Sequence, residues 1–167
     1  LHDALPILIL QYHIFVMAHQ DNRFPAFKRL NVTELYRDLN KFEERVKNQT
    51  TRSVIVIRGL PGSGKTDIAN KFTDAEIFHL DDYMPKGKDG TPTYDMSNIK
   101  QGNLAIRKSI NKLLKTKFNK PIVVNAPHVY LWELKYFKAI TCQSKIPFII
   151  YEARTLFSKD NETRVKE

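Results

Sequence analysis

The chain contains the segment Ser53-Val-Ile-Val-Ile-Arg-Gly-Leu-Pro-Gly-Ser-Gly-Lys-Thr66, in which a short apolar run leads directly into a glycine-rich loop. The run from Val54 to Ile57 is continuous and β-branched, which is typical of a strand covered on both faces in a parallel sheet. A strand pattern before such a loop and a helix pattern after it form the context in which G-x-x-x-x-G-K-[ST] binds phosphate. The loop fills the specified positions of that pattern with Gly59, Gly64, Lys65 and Thr66.

The residue types in this loop suit the binding of a nucleotide and a metal ion. Glycines allow backbone conformations in which successive N–H groups point into one concavity. The Lys65 ammonium would reach the β- and γ-phosphates, the Thr66 hydroxyl would take one position on Mg²⁺, and the helix that starts here would add positive potential. The alternative is a glycine-rich turn that binds no ligand. We therefore predict ATP and Mg²⁺ as cofactors, with a site formed by Gly59, Leu60, Pro61, Gly62, Ser63, Gly64, Lys65 and Thr66.

Length, charge and cysteine content limit the class of protein. A chain of 167 residues with 42% hydrophobic residues is sufficient for one domain with a single core. The net charge of +9 favours a polyanionic or acidic partner, although an unspecialised basic surface would give the same value. Cys142 is the only cysteine, so an internal disulfide is excluded and an intracellular, reducing compartment is expected.

The amino-terminal segment has the features of a non-native leader. His2-Asp-Ala-Leu-Pro-Ile7 resembles the translation of a sequencing-adapter oligonucleotide, and no methionine precedes Met17. The apolar stretch that follows is too short to cross a bilayer, so no membrane partner is predicted. We expect a leader over residues 1–16, a linker and accessory helix over 17–51, and the main domain over 52–167.

Alternating strand and helix patterns predict an α/β fold, in which a parallel sheet is covered by helices. Helical spacing of apolar residues and capping residues mark the helices, and short β-branched runs mark the strands. Further strands are predicted over Glu76–Leu80, Pro121–Asn125 and Pro147–Tyr151. Helices are predicted from Asn31 or Thr33 to Lys47, from Lys65 to Phe72, from Asp95 or Ser97 to Phe118, and from Leu131 to Cys142.

Several further side chains are candidates for the site. Asp81 and Asp82 follow the second strand, where an open α/β sheet places ligand-binding groups, and each could instead cap a turn. Lysines and arginines without acidic residues over 100–120 form a basic helix face, which is either solvated or in contact with RNA or DNA. We interpret His79 and His128 as ordinary strand-end or loop histidines. Trp132 is expected to anchor its helix in the core, with base stacking as the alternative.

Four motifs resemble those of a P-loop kinase group that includes polynucleotide kinases, NEDD4-binding proteins and YLP motif-containing proteins. The LDDY form and the last motif favour the YLP motif-containing branch, whose resemblance implies a nuclear location. In polynucleotide kinases the first aspartate after strand two is the general base on a 5′-hydroxyl group, and this role carries over to Asp81. The motifs are Arg58–Thr66, Leu80-Asp-Asp-Tyr83, Trp132-Glu-Leu-Lys135 and Asp160-Asn-Glu-Thr163.

Three departures from the group keep an alternative function open. Asn125 stands where the group commonly has an aspartate that helps to hold Mg²⁺, and Met84 stands where the kinases have an arginine. The group's lid arginines would lie beyond Glu167. The chain is therefore either a phosphotransferase, with Lys65 and Asp81 as catalytic residues, or a nucleotide-binding regulatory module of a larger nuclear protein. A third hypothesis is an RNA- or DNA-binding module in which ATP is only structural.

Overall fold

A computed structural model of the chain describes residues 33–128 and 131–153. Within these residues, helices pack against a five-stranded parallel sheet. The spatial order of the strands is β1-β5-β2-β4-β3, so β2 lies in the centre. The strands are β1 (Thr33–Tyr36), β2 (Ser53–Arg58), β3 (Glu76–His79), β4 (Pro121–Asn125) and β5 (Phe148–Glu152). The helices are α1 (Leu39–Lys47), α2 (Lys65–Ala69), α3 (Met96–Leu114) and α4 (Lys135–Ser144).

The sheet separates two apolar layers because successive strand residues point to opposite faces. Val54 and Val56 of β2 face a cluster that includes Ile106 of α3 and Phe137 of α4. Ile55 and Ile57 face a second cluster, to which α1 and α2 also contribute residues. Every residue of β2 and β4 is buried, which explains why their sequences are continuous apolar runs rather than alternating ones.

Side chains satisfy backbone groups at both ends of α3. Asp95 accepts a hydrogen bond of 2.8 Å from the backbone N–H of Asn98 and so starts α3, which confirms one of the two predicted caps. At the other end of α3, the Arg52 guanidinium donates to the carbonyl oxygens of Leu114, Thr116 and Phe118. A cation at this position satisfies carbonyl groups that have no partner within the helix.

The predicted α/β fold and its parallel sheet are confirmed, and the helix predicted from Thr33 is wrong in its first part. Thr33–Tyr36 forms an edge strand that pairs with β5, and α1 begins only at Leu39. Leu35 has the helical spacing to Leu39, but it is 45% exposed on the edge strand. A bidentate contact from Arg45 to Glu34, with both distances 2.7 Å, fastens this strand to α1.

Other element ends differ from the prediction by a few residues. Helix α2 ends at Ala69 and α3 at Leu114, each about one turn before the predicted end. Residues Leu131–Leu134 form a 3₁₀ turn before α4, and Leu80–Tyr83 form another after β3. The predicted leader, Asn31 and the Asp160–Thr163 motif lie outside the described residues. In the part of the chain described, no helix combines the length and apolar character that a membrane span requires.

Candidate nucleotide site

The loop between β2 and α2 lies at the carboxyl edge of the sheet, and its first glycine is held in close backbone contact. Gly59 has φ +147° and donates its N–H to the carbonyl oxygen of Pro127 at 3.1 Å. A Cβ atom at this position would lie 2.8 Å from the carbonyl oxygen of Ala153. The sequence therefore needs glycine here both for its φ angle and for lack of space.

The remainder of the loop has the conformation of an anion-binding concavity. Gly62 and Gly64 have φ angles of +76° and +81°, in the left-handed region that glycine adopts without steric cost. Alternation between right- and left-handed residues turns consecutive N–H groups toward one point. Ser63 is fully buried in the middle of the loop, and its hydroxyl has no hydrogen-bond partner among the residues described. A buried donor without a partner fits a loop that receives a phosphate oxygen.

Lys65 lies across the mouth of the loop. Its Nζ donates a hydrogen bond of 2.8 Å to the carbonyl oxygen of Leu60. Burial lowers the pKa of Lys65, and the negative charge of nearby Asp81 opposes part of that change. Asp81 is therefore close enough to influence the charge of Lys65, although the two residues are 16 positions apart in the sequence.

Helix α2 contributes less to the site than the sequence suggested. It contains only five residues, Lys65–Ala69, and its amino-terminal flank is Gly64, which makes no side-chain cap. A short helix has few aligned peptide dipoles. A phosphate at this loop would therefore be held by the loop N–H groups and Lys65 more than by a helix end.

Thr66 is tied to the adjacent strand by a side-chain amide. Asn125 ends β4, is 5% exposed, and donates from Nδ2 to Thr66 Oγ1 at 3.0 Å. The same nitrogen lies 2.8 Å from Nδ1 of His79, which is the register partner of Asn125 on β3. His79, which the sequence predicts to be an ordinary strand-end histidine, therefore contacts Asn125. Asn125 in turn donates to Thr66, the candidate contact to Mg²⁺.

Asp81 belongs to the 3₁₀ turn at the end of β3 and is exposed beside the loop. The hydroxyl of Tyr94 donates a hydrogen bond of 2.6 Å to its Oδ1. Burial, together with this carboxylate, raises the pKa of Tyr94 to about 12, so the tyrosine remains a donor at neutral pH. Sequence reasoning missed Tyr94, because nothing in the loop over 84–94 indicates which of its residues folds back.

Three positions identified in the sequence make none of the site contacts described above. Met84 is 4% exposed and packs against Gly102 of α3, so the position that holds an arginine in the kinases is a core position here. His128 is 2% exposed, has φ +40°, and packs edge-on against Phe137. The prediction that Trp132 anchors its helix in the core is wrong, since Trp132 is 62% exposed on the 3₁₀ turn before α4.

The donor set of the site suits a hard cation that is shared with phosphate groups. Over the described residues, no group of three or more histidine, cysteine or acidic side chains could hold a metal ion by itself. Mg²⁺ keeps several waters and takes one or two protein oxygens plus phosphate oxygens, so a metal-only cage is not required. Thr66 Oγ1 accepts one hydrogen bond and retains a lone pair, and it therefore fits a single protein contact to Mg²⁺.

Comparison with known proteins gives partial support for a kinase-like domain. No protein-family model matches the chain. A Dictyostelium discoideum protein described as a probable gluconokinase is 36% identical over 64 residues, which cover 34% of this chain and 32% of that protein. The chain therefore spans about a third of the length of this curated relative. The match and the parallel sheet support a P-loop kinase-like domain in general, and they do not extend to the NEDD4-binding or YLP motif-containing proteins.

Proposed function

We propose that this chain binds Mg-ATP in the loop over residues 59–66 and transfers the γ-phosphoryl group to a hydroxyl group. The observation that carries the proposal is the geometry of the loop, in which three glycines have positive φ angles and Lys65 donates across it to the Leu60 carbonyl, with Asp81 in the turn that follows β3. Phosphoryl transfer uses a cation that binds the phosphates and a carboxylate that accepts a proton, and here both lie at the carboxyl edge of the sheet.

Each residue has a defined role in the proposed reaction. Lys65 exchanges its contact with the Leu60 carbonyl for phosphate oxygens and neutralises their charge. Asp81 accepts the proton of the acceptor hydroxyl while that oxygen bonds to the γ-phosphorus and the bond to the β–γ bridging oxygen breaks, releasing ADP. Mg²⁺, when bound, supplies additional positive charge on the phosphate oxygens, and Thr66 is the residue that would contact it.

Two classes of hydroxyl acceptor have support. Lys100, Lys108 and Lys112 are exposed along α3, and their charge favours an acceptor on a nucleic acid, as the resemblance to polynucleotide kinases implies. The match to a probable gluconokinase favours a small polyhydroxy acid. Both acceptors present an alcohol oxygen to Asp81, so the same chemistry serves either.

A transfer assay tests the proposal and separates the acceptors. The full chain is incubated with Mg²⁺ and ATP labelled on the γ-phosphate, with 5′-hydroxyl DNA, 5′-hydroxyl RNA or gluconate in separate reactions. Label transfer that both Lys65→Ala and Asp81→Asn abolish is the expected result. Transfer that persists in Asp81→Asn would assign the proton-accepting role to another group.

A specific observation favours the second candidate function, a nucleotide-binding regulatory module of a larger nuclear protein. Asn125 supplies an amide where a carboxylate would add negative charge beside the metal, and its N–H group already engages Thr66. Weaker metal binding would slow transfer more than it would weaken nucleotide binding. ATP binding that requires Lys65, together with no label on any acceptor, would support this function over the first.

A further inference from the structure

Three side chains form a continuous hydrogen-bonded row across the carboxyl edge of the sheet. His79 ends β3, Asn125 ends β4, and Thr66 follows the loop that leaves β2. Asn125 Nδ2 is 2.8 Å from His79 Nδ1 and 3.0 Å from Thr66 Oγ1. The amide is buried, so water does not readily substitute for either partner.

The orientation of the Asn125 amide determines which groups in this row donate and which accept. The Asn125 amide nitrogen carries two hydrogens, and each has one acceptor. With the amide nitrogen between the two partners, a neutral His79 ring presents its lone pair at Nδ1 and carries its proton at Nε2. Thr66 Oγ1 receives the other hydrogen and keeps one lone pair, with its own proton directed away from the amide.

We propose that His79 is a positioning residue that orients the Asn125 amide and thereby determines how Thr66 presents its oxygen to the metal ion of the nucleotide. This inference rests on the proposed function, because it takes Thr66 as the contact to Mg²⁺. An acceptor at His79 Nδ1 keeps the amide nitrogen, rather than the amide oxygen, on the side of Thr66. If the acceptor is removed, the amide can rotate, its oxygen can accept the Thr66 proton, and the hydroxyl changes orientation.

An aspartate at position 125 would reverse the whole row. A carboxylate only accepts, so Thr66 would donate to it, and His79 would need to carry its proton at Nδ1. Thr66 would then have both lone pairs available, and the carboxylate would add a negative charge near the metal. With asparagine at 125, this row therefore adds no negative charge beside the place of the metal ion.

Substitutions at position 79 separate hydrogen bonding from packing. The side-chain oxygen of His79→Asn supplies an acceptor close to the place of Nδ1, whereas His79→Leu fills similar space without one. The ratio of ATP affinity with Mg²⁺ to ATP affinity with EDTA is measured by calorimetry for each chain. We expect His79→Asn to keep the wild-type ratio and His79→Leu to lower it by about fivefold, the value of one hydrogen bond. Equal ratios in wild type and His79→Leu would overturn the proposal.

The tautomer of His79 is a direct readout that needs no nucleotide. Nitrogen-15 NMR of the imidazole ring in the nucleotide-free chain should show Nδ1 unprotonated in wild type and protonated in Asn125→Asp. Asn125→Asp should also raise the Mg²⁺ to EDTA affinity ratio by at least about tenfold, as expected for an added charged ligand. A wild-type chain that binds no ATP would overturn the proposed function, whereas a proton on Nδ1 in wild type would overturn this inference even if ATP binds.

Discussion

The hydroxyl of Tyr94 and the carboxylate of Asp81 are joined by a hydrogen bond of 2.6 Å, which connects the loop before α3 to the candidate general base. Hydrogen bonds to a charged group are stronger than neutral ones, and water competes for this bond because both side chains are exposed. This bond leaves Oδ2 of Asp81 for an acceptor hydroxyl and restricts the rotation of the carboxylate. Tyr94 therefore orients the candidate base.

We expect Tyr94→Phe to lower kcat for phosphoryl transfer by about three- to tenfold, because the carboxylate loses an orienting contact. Thermal unfolding should change little, since Tyr94 is half exposed. Tyr36→Phe is the matched control, as Tyr36 also donates at 2.6 Å to a carboxylate, that of Glu34 on the edge strand. A kcat loss of the same size in both variants would show that Tyr94 has no special role.

Gly59→Ala should destabilise the chain and abolish ATP binding. The new methyl group would lie 2.8 Å from the Ala153 carbonyl oxygen, and alanine rarely adopts φ +147°. Overpacking and backbone strain together should lower the free energy of unfolding by about 2–4 kcal/mol. Gly90→Ala is the control for strain alone, since Gly90 has φ +79° but no atom within 4 Å of a new Cβ. Equal losses in urea denaturation of the two variants would contradict the close contact at Gly59.

His128 predicts a pH dependence of stability. Burial, with the charges of Arg107 and Arg58, lowers its pKa from 6.5 to about 4. The unfolded chain therefore binds this proton first as the pH falls, so the histidine reduces the free energy of unfolding between pH 6.5 and about 4 and has no further effect below. The reduction should approach about 3 kcal/mol.

His128→Asn tests this prediction because asparagine does not titrate and tolerates the left-handed φ angle of +40°. The free energy of unfolding, measured by urea denaturation at several pH values from 7.5 to 4, should fall less steeply with decreasing pH in the variant than in wild type. Parallel curves would mean that His128 is protonated in the folded chain or reaches solvent.

The lysines of α3 should determine any binding of nucleic acid. Lys108 and Lys112 are exposed one turn apart on the helix. Replacing both with alanine should weaken binding of a single-stranded oligonucleotide and reduce the slope of log K against log salt by about 0.7 for each lysine. Lys41→Ala is the control, because Lys41 is exposed on α1, which covers the opposite face of the sheet. Equal salt slopes in all three chains would exclude α3 as a nucleic-acid surface.

The core of the fold could be predicted because buried strands have a strong local signal. The residues of β2 and β4 are continuous and β-branched, and their ends lie within one residue of the predicted ones. Asp95 was identified as a cap from its own chemistry. The edge strand Thr33–Tyr36 was missed because it is short and half exposed, so its pattern also fits the start of a helix.

The contacts within the site could be predicted only in part. Loop residues follow from their spacing, since each position has a specific backbone or phosphate-binding requirement. The contacts of Tyr94 with Asp81 and of His79 with Asn125 depend on tertiary folding and leave no trace in local spacing. The burial of Trp132 is predicted wrongly, because a large aromatic side chain is usually expected in the core and this one is 62% exposed.

Calorimetric titration of Mg-ATP into the full chain tests the central claim that the loop over 59–66 is a nucleotide site. Wild type should bind one ATP per chain, and Lys65→Ala should bind at least about tenfold more weakly, because the partly buried cation proposed to contact phosphate is lost. Lys71→Ala is the control, since Lys71 pairs with Glu43 outside the loop. Equal affinity of wild type and Lys65→Ala, or no heat of binding in wild type, would contradict the claim.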